Sequence, residues 1–202
     1  MGNIFSQFYF IPTAALTEKT CPDQTDRLDL SDLSTIKLAV NYFIARQQRL
    51  DVLVNNAGVM YPQRASIGAQ GHELQMVTNC LSHYLLYQLL LPLLTKTAVS
   101  SLTASVRVAW AASIAVHVDS SPSGMIINED GCPKDQEVTA NYSQSKVGNV
   151  FLARECAKMT PQTGIVHAVF NPGNLRTELQ RHWTGPASWI AVSGVVELFA
   201  VF

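Results

Sequence analysis

The sequence predicts an α/β fold built on a parallel sheet, on three observations. Short apolar runs recur at residues 51–54, 106–111 and 165–170. Longer segments with helical periodicity separate them, and turn residues such as Asn55-Asn56-Ala57-Gly58 and Asn171-Pro172-Gly173 close them. Strand alternating with helix favours parallel pairing, because each return crossing needs a helix.

Residues 1–27 open with aromatic side chains and then carry Pro12, Pro22 and a polar stretch, which reads as an arm or loop. Arg27-Leu28-Asp29-Leu30 reads as a short strand end, with Ser31 as the N-cap of the helix that follows. In that helix Ile36, Val40, Phe43 and Ile44 fall on one face. The run 51–54 is apolar without a break, as expected of a parallel strand covered on both faces. A long helix is predicted from His72 to about Leu91, with Leu74, Val77, Leu81, Tyr84, Leu85 and Gln88 in step and Pro92 marking its end or a bend. Residues 106–111 form the next strand, 117–138 a loop rich in Ser, Pro, Gly and acidic groups, 141–159 a helix and 165–170 a strand. No repeat or linker divides the chain, so 1–202 is expected to be a single domain with 1–27 as an N-terminal arm.

At 202 residues such a domain can bury roughly two thirds of its unfolded surface. A hydrophobic content of 48% against 14% charged residues indicates a globular protein, and a net charge of −1 gives no electrostatic case for nucleic acid. Cys21, Cys80, Cys132 and Cys156 form no C-x-x-C pair, which favours reduced thiols and a cytoplasmic setting. No apolar run reaches the length of a membrane span; the tail 189–202 suits a short buried or interfacial helix. Met1-Gly2-Asn3-Ile4-Phe5-Ser6 fits the N-myristoylation pattern at Gly2, a pattern short enough that an unmodified arm is the plainer reading. His83, His117 and His167 show no metal spacing and read as packing or loop residues.

The chemistry concentrates in Tyr142-Ser143-Gln144-Ser145-Lys146. A Tyr and a Lys four apart share one face of a helix. A free phenol ionises near pH 10, and a cation held close by lowers that value toward the range where the group can exchange protons. On its own the spacing is as well explained by two amphipathic stems covering a surface. Its neighbours make the difference: the strand and turn Leu50-Asp51-Val52-Leu53-Val54-Asn55-Asn56-Ala57-Gly58-Val59-Met60, the helical stretch Thr78-Asn79-Cys80-Leu81-Ser82-His83-Tyr84, and a buried strand ending at Ser113.

In order and spacing these motifs resemble the short-chain dehydrogenase/reductase family, specifically fungal, retinol-dehydrogenase-like members, over five motifs between Leu28 and Leu179. The resemblance implies a Rossmann-like doubly wound parallel sheet and hydride transfer between NADP, or NAD, and a carbonyl or alcohol of a small hydrophobic substrate, plausibly in fungal secondary metabolism. It implies four catalytic residues. Ser113 would hydrogen-bond the carbonyl oxygen, Tyr142 would carry the proton, Lys146 would lower the phenol's pKa and bind the nicotinamide ribose, and Asn79 would position the proton-relay water and Lys146. On chemistry alone Ser113 is a loop serine and Asn79 a locally bonded kink. For the cofactor it implies Asp29 at the adenine, Asn55, Asn56, Ala57 and Gly58 along its length, and Pro172, Gly173 and Thr177 at the nicotinamide end, with Tyr142 and Lys146. A homo-oligomer stays open.

One part of that pattern is missing. Nowhere do the 202 residues contain the G-x-x-x-G-x-G turn whose backbone N–H groups hold a pyrophosphate at a helix N-terminus. The arm passes directly to Leu28-Asp29-Leu30, which matches the family's third strand. The expectation is therefore an incomplete sheet lacking its first two strands, with an internal gap of roughly fifty to sixty residues, about one βαβ unit and the start of a helix, and an early C-terminal end. A missed-exon gene model, a spliced isoform and a truncated pseudo-enzyme all predict this chain. The alternative to an active enzyme is a catalytically inactive remnant that acts, if at all, as a binding or interaction protein.

Overall fold

The computed structural model describes residues 28–173 together with Leu179 and His182. The arm 1–27 with Gly2, Thr177 and the tail 189–202 lie outside the described residues. Three strands, β1 (Val52–Asn55), β2 (Arg107–Ala111) and β3 (Val166–Phe170), form one parallel sheet in the order β1-β2-β3. The apolar runs predicted at 51–54, 106–111 and 165–170 are all strands, each starting one residue late. Asn55 lies opposite Trp110, and Ala111 opposite Phe170. The chain therefore leaves all three strands at one edge, and residues 56–58, 112–113 and 171–173 emerge side by side. In open α/β sheets that carboxyl edge is where ligands bind.

Residues 28–30, expected as a strand, instead form a turn into the first helix, α1 (Leu33–Ile44). With no described strand beyond β1 to pair with, their polar groups find other partners: Asp29 O accepts from Asp32 N at 3.1 Å, and Leu30 O accepts the hydroxyl of the distant Ser82. Leu28 and Leu30 still pack against the core. The cap falls on Asp32, whose carboxylate accepts from Ser34 N at 2.9 Å, one residue after the predicted Ser31. Ser31 is already engaged, its N–H and hydroxyl donating to Asp29 Oδ1 at 2.8 and 2.7 Å.

After β1 a rod, α2, runs through a short α-turn (Leu74–Met76), a π-helical segment (Val77–Leu81) and an α-helix (Ser82–Val99). It passes through Pro92 and continues to Val99, beyond the predicted end, since the proline forgoes only one backbone bond. Thr97 near its end accepts from Leu50 N at 3.0 Å, which fixes the entry to β1. A single turn, α3 (Ala115–Val118), follows β2. The loop 119–137 leads to α4 (Val138–Met159), which begins three residues before the predicted start. A 3₁₀ turn, Pro161–Thr163, closed by Gly164 at φ 69°, returns the chain to β3. Among the described residues no helix is long and apolar enough to cross a membrane.

The core lies on one side of the sheet. Leu53, Val108, Trp110 and Val169 pack with Ile36 and Val40 of α1, Tyr87, Leu90 and Leu94 of α2, and Ala153 and Cys156 of α4. At its centre Trp110 Nε1 donates to His167 Nδ1 at 3.3 Å, with Tyr87 edge-on to both rings. Burial holds the His167 imidazole down to about 4, so it is neutral and able to accept that bond. The other face is different. Val52 and Val54 are 50% and 53% exposed, so β1 is not covered on both faces as its composition predicts. The second helical layer of a doubly wound sheet is not among the described elements, and β1 presents an open edge.

This one-sided burial has a measurable consequence. In urea unfolding, Val108→Thr, which puts a hydroxyl into the covered face, is expected to cost about 1–3 kcal/mol, and Val54→Thr less than about 0.5 kcal/mol. Equal costs would mean that the outward face is buried too.

Candidate active site

The site grows from the carboxyl edge of the sheet and from the π-helical segment above it. A π turn widens the helix and frees carbonyls from regular pairing. Asn79, fully buried, stands in that segment. Its amide clasps the backbone of Val59 from both sides, Nδ2 donating to Val59 O at 2.9 Å and Oδ1 accepting from Val59 N at 2.8 Å. Nδ2 also donates to Ser145 Oγ of α4 at 3.0 Å. The Asn79 carbonyl accepts from Asn149 Nδ2 at 2.9 Å, and the same nitrogen donates to Ala111 O at the end of β2, also at 2.9 Å. Asn149 is a site residue that sequence reasoning missed. The signal was there: it follows Tyr142 by seven and Lys146 by three, on one helical face.

Lys146 is buried on that face, with Nζ donating to Ala111 O at 3.3 Å and lying 5.7 Å from the centre of the Tyr142 ring. Gly58 borders it. A Cβ there would stand 2.8 Å from Asn79 Oδ1 and 3.6 Å from Lys146 Nζ, so the turn after β1 fits only without a side chain. Ser113 follows β2, accepts from Ala115 N at 3.3 Å, and stands near enough to the Tyr142 phenol for its hydroxyl to favour the charged form. The structure thus brings Ser113, Tyr142, Lys146 and Asn79 together from three parts of the chain.

The electrostatics depart from expectation in one respect. Burial raises the Tyr142 phenol above its ordinary value; only the Ser113 hydroxyl opposes the shift, and the Tyr61 phenol adds to it. Lys146 does not pull the phenol down, because it too is desolvated, its own pKa falling to about 8. His83, one turn beyond Asn79, is pushed to about 4 by burial first and the Lys146 charge second, and is neutral. Cys80, packed where a side chain on Gly148 would stand, rises to about 12 through burial and stays a thiol.

The remaining predicted residues divide. Asn55 is buried at the end of β1, with neither amide atom of its side chain hydrogen-bonded. Asn56 and Ala57 are exposed beyond it. Pro172 and Gly173 are half-buried at the end of β3, where Gly173, at φ 77°, donates to Asn171 Oδ1 at 3.1 Å. Asp29 stands apart, exposed, its carboxylate held by Ser31. The groups present that fit the nicotinamide end of a dinucleotide are an unpartnered Asn55 amide, a Lys146 ammonium with one acceptor at 3.3 Å, and the backbone at Gly58 and Gly173. The pyrophosphate has no matching glycine-rich turn in the 202 residues. Among the described residues no group of three His, Cys, Asp or Glu side chains could hold a metal ion.

Comparison with known proteins gives the same direction. The family model for short chain dehydrogenases matches residues 25–186. A short-chain dehydrogenase/reductase of Phomopsis amygdali is 45% identical over 157 residues, covering 77% of this chain and 47% of that protein. Human retinol dehydrogenase 12 is 35% identical over 156 residues, covering 77% and 46%. The chain spans about half the length of these relatives. Among solved structures, a Pseudomonas aeruginosa RhlG/NADP active-site complex superposes with a TM-score of 0.57 at 28% identity, covering 79% of this chain and 57% of that one.

The buried ammonium sets a pH dependence of stability. Lys146 titrates near 8 when folded against 10.5 when free, so its desolvation penalty is present in full below about pH 8 and fades as pH rises toward 10.5. Lys146→Met is therefore expected to raise unfolding stability at pH 7 by about 1–3 kcal/mol, with the gain shrinking toward pH 10. A variant less stable than the parent at pH 7 would show that the ammonium is well solvated or paired.

Proposed function

We propose that this chain, which belongs to the short-chain dehydrogenase family, carries the proton-handling half of an oxidoreductase that interconverts a carbonyl and an alcohol on a small hydrophobic molecule. The observation that carries the reading is the convergence of Ser113, Tyr142, Lys146 and Asn79 on one buried spot at the carboxyl edge of the sheet. We read residues 1–202 as one incomplete domain of this kind, serving fungal secondary metabolism as the resemblance implies.

When bound, a nicotinamide dinucleotide supplies the hydride; NADP and NAD are both compatible with the residues present. Asn55, Lys146 and the backbone at Gly58 and Gly173 would hold its nicotinamide end. The protein's own part is the proton. The Tyr142 hydroxyl, kept protonated by burial, would donate its proton to the carbonyl oxygen during reduction, and the phenolate left behind is the form that would take the alcohol's proton in the reverse direction. Ser113, beside the phenol, hydrogen-bonds the same oxygen and fixes its position. Asn79 and Asn149 hold the turn at Val59, the end of β2 and α4 in register, so that Lys146 stays beneath the tyrosine. The loop 119–137, with Ile126 and Ile127 partly exposed, supplies an apolar border suited to a hydrophobic substrate.

A second reading rests on the missing glycine-rich turn: a catalytically silent relative that has kept the constellation but lost the cofactor's phosphate cradle. Titration of the purified chain with NADPH and with NADH, followed by nucleotide fluorescence and thermal unfolding, separates the two. The enzyme reading expects saturable binding with a higher melting temperature, and a Tyr142→Phe loss in turnover of about 10²–10⁴ with nucleotide affinity kept. No melting shift with either nucleotide favours the silent relative.

A further inference from the structure

Tyr142 is only 4% exposed, and what covers it determines what can reach it. Met60 and Ala115 are buried against it, and Tyr61 and Leu179 pack over the cluster half-buried. Tyr61 is its aromatic neighbour there, with ring centres 5.4 Å apart and planes at 74°, the edge-to-face arrangement that aromatic pairs prefer.

The backbone of Tyr61 is in the left-handed region, at φ 51°. A bulky residue rarely adopts that conformation unless its surroundings impose it. Here they do. Tyr61 N donates to Gln75 Oε1 at 3.0 Å, and Gln75, fully buried, donates from Nε2 to Val138 O at 2.9 Å. One amide thus ties Tyr61 to the first residue of α4, the helix that carries Tyr142 and Lys146. Glu73 secures the same corner by capping α2 through Met76 N at 2.7 Å. Burial, followed by the Asp119 carboxylate, raises the Tyr61 phenol above its ordinary range, so the ring is uncharged at neutral pH. Its direction is fixed relative to the reacting phenol, which is what discrimination between substrates requires.

We propose that Tyr61 is a specificity-determining residue of this site: its ring forms the wall on which the group beside the substrate's carbonyl lies, so that flat aromatic or conjugated substituents are preferred over saturated ones. The inference rests on reading Tyr142 as the proton donor, because a carbonyl oxygen within hydrogen-bonding reach of that phenol brings its neighbouring carbons against Tyr61. A stacked or edge-on aromatic substituent gains the added attraction of an aromatic pair; a saturated ring of equal size gains only burial. Tyr61 would not touch the proton, so its effect belongs in selectivity.

The test is equilibrium binding of acetophenone and of cyclohexyl methyl ketone, by ligand-observed NMR with and without NADPH, to the full chain and to its Tyr61→Phe and Tyr61→Leu variants. The parent and Tyr61→Phe are expected to prefer acetophenone roughly two- to tenfold, the worth of one aromatic pair, and Tyr61→Leu to lose that preference. A merely structural role would weaken both ketones alike. An unchanged preference in Tyr61→Leu overturns the inference and leaves the oxidoreductase reading intact. A preference that follows Tyr61 in a chain that does not bind NADPH sinks hydride transfer and keeps the wall. Binding of neither ketone to the parent overturns both.

Discussion

The site depends on one buried amide. Asn79 holds Val59 by both its N–H and its carbonyl, reaches Ser145, and through its own carbonyl meets Asn149, which in turn holds Ala111. The loop after β1, the end of β2 and the middle of α4 are thereby locked to one point of α2. An unpaired amide in such a place is costly, and a fully satisfied one specifies a single arrangement. Asn79 and the carbonyl that meets Asn149 stand in the π segment, where the helical ladder is irregular. The absence of a side chain at Gly58 is the other half of the constraint, since any Cβ there would push the loop off Asn79.

Within this frame Tyr142 and Lys146 obey one rule. Both are withdrawn from water, and both are biased toward their neutral forms, the phenol upward and the ammonium downward to about 8. A phenol that stays protonated suits proton donation to a carbonyl. A lysine that is still mostly charged at neutral pH, with one carbonyl at 3.3 Å, keeps its remaining N–H groups for a ligand. The stability lost to that desolvation serves the site and not the fold, a pattern common where a protein holds charge ready for binding.

How much of this was legible in the sequence follows from what each feature depends on. The three strands and α4 could be read to within a few residues, because long apolar runs and helical periodicity carry their own signal. Tyr142 and Lys146 could be singled out because spacing and residue type express their chemistry, whereas Ser113 and Asn79 stood out only through the resemblance to a known family. What could not be read depends on partners distant in sequence. Residues 28–30 look like a strand, but with no neighbouring strand among the described residues they form a turn; the cap moves to Asp32 because Asp29 has already claimed Ser31. Composition made β1 a strand covered on both faces, but helices lie on one face only among the described elements. Gln75 looks like an ordinary helix residue until the loop it holds is in place.

The division between what is present and what is absent runs along the sheet itself. The stretch from β1 to β3 contains Ser113, Tyr142, Lys146 and Asn79, together with the core that positions them. The groups that would hold a dinucleotide's phosphates belong, in an α/β sheet of this kind, to a strand-turn-helix unit whose glycine-rich turn does not occur in these 202 residues. Chemistry and cofactor anchoring are therefore separable parts of the fold. In the proposed reading the nicotinamide end would meet Asn55, Gly58, Lys146 and Gly173, and binding there alone would forgo the charge-assisted bonds to phosphate that a helix N-terminus supplies. Such a chain can retain the geometry of catalysis while its affinity for the cofactor is the quantity most reduced, which makes nucleotide binding, before turnover, the property on which its function depends.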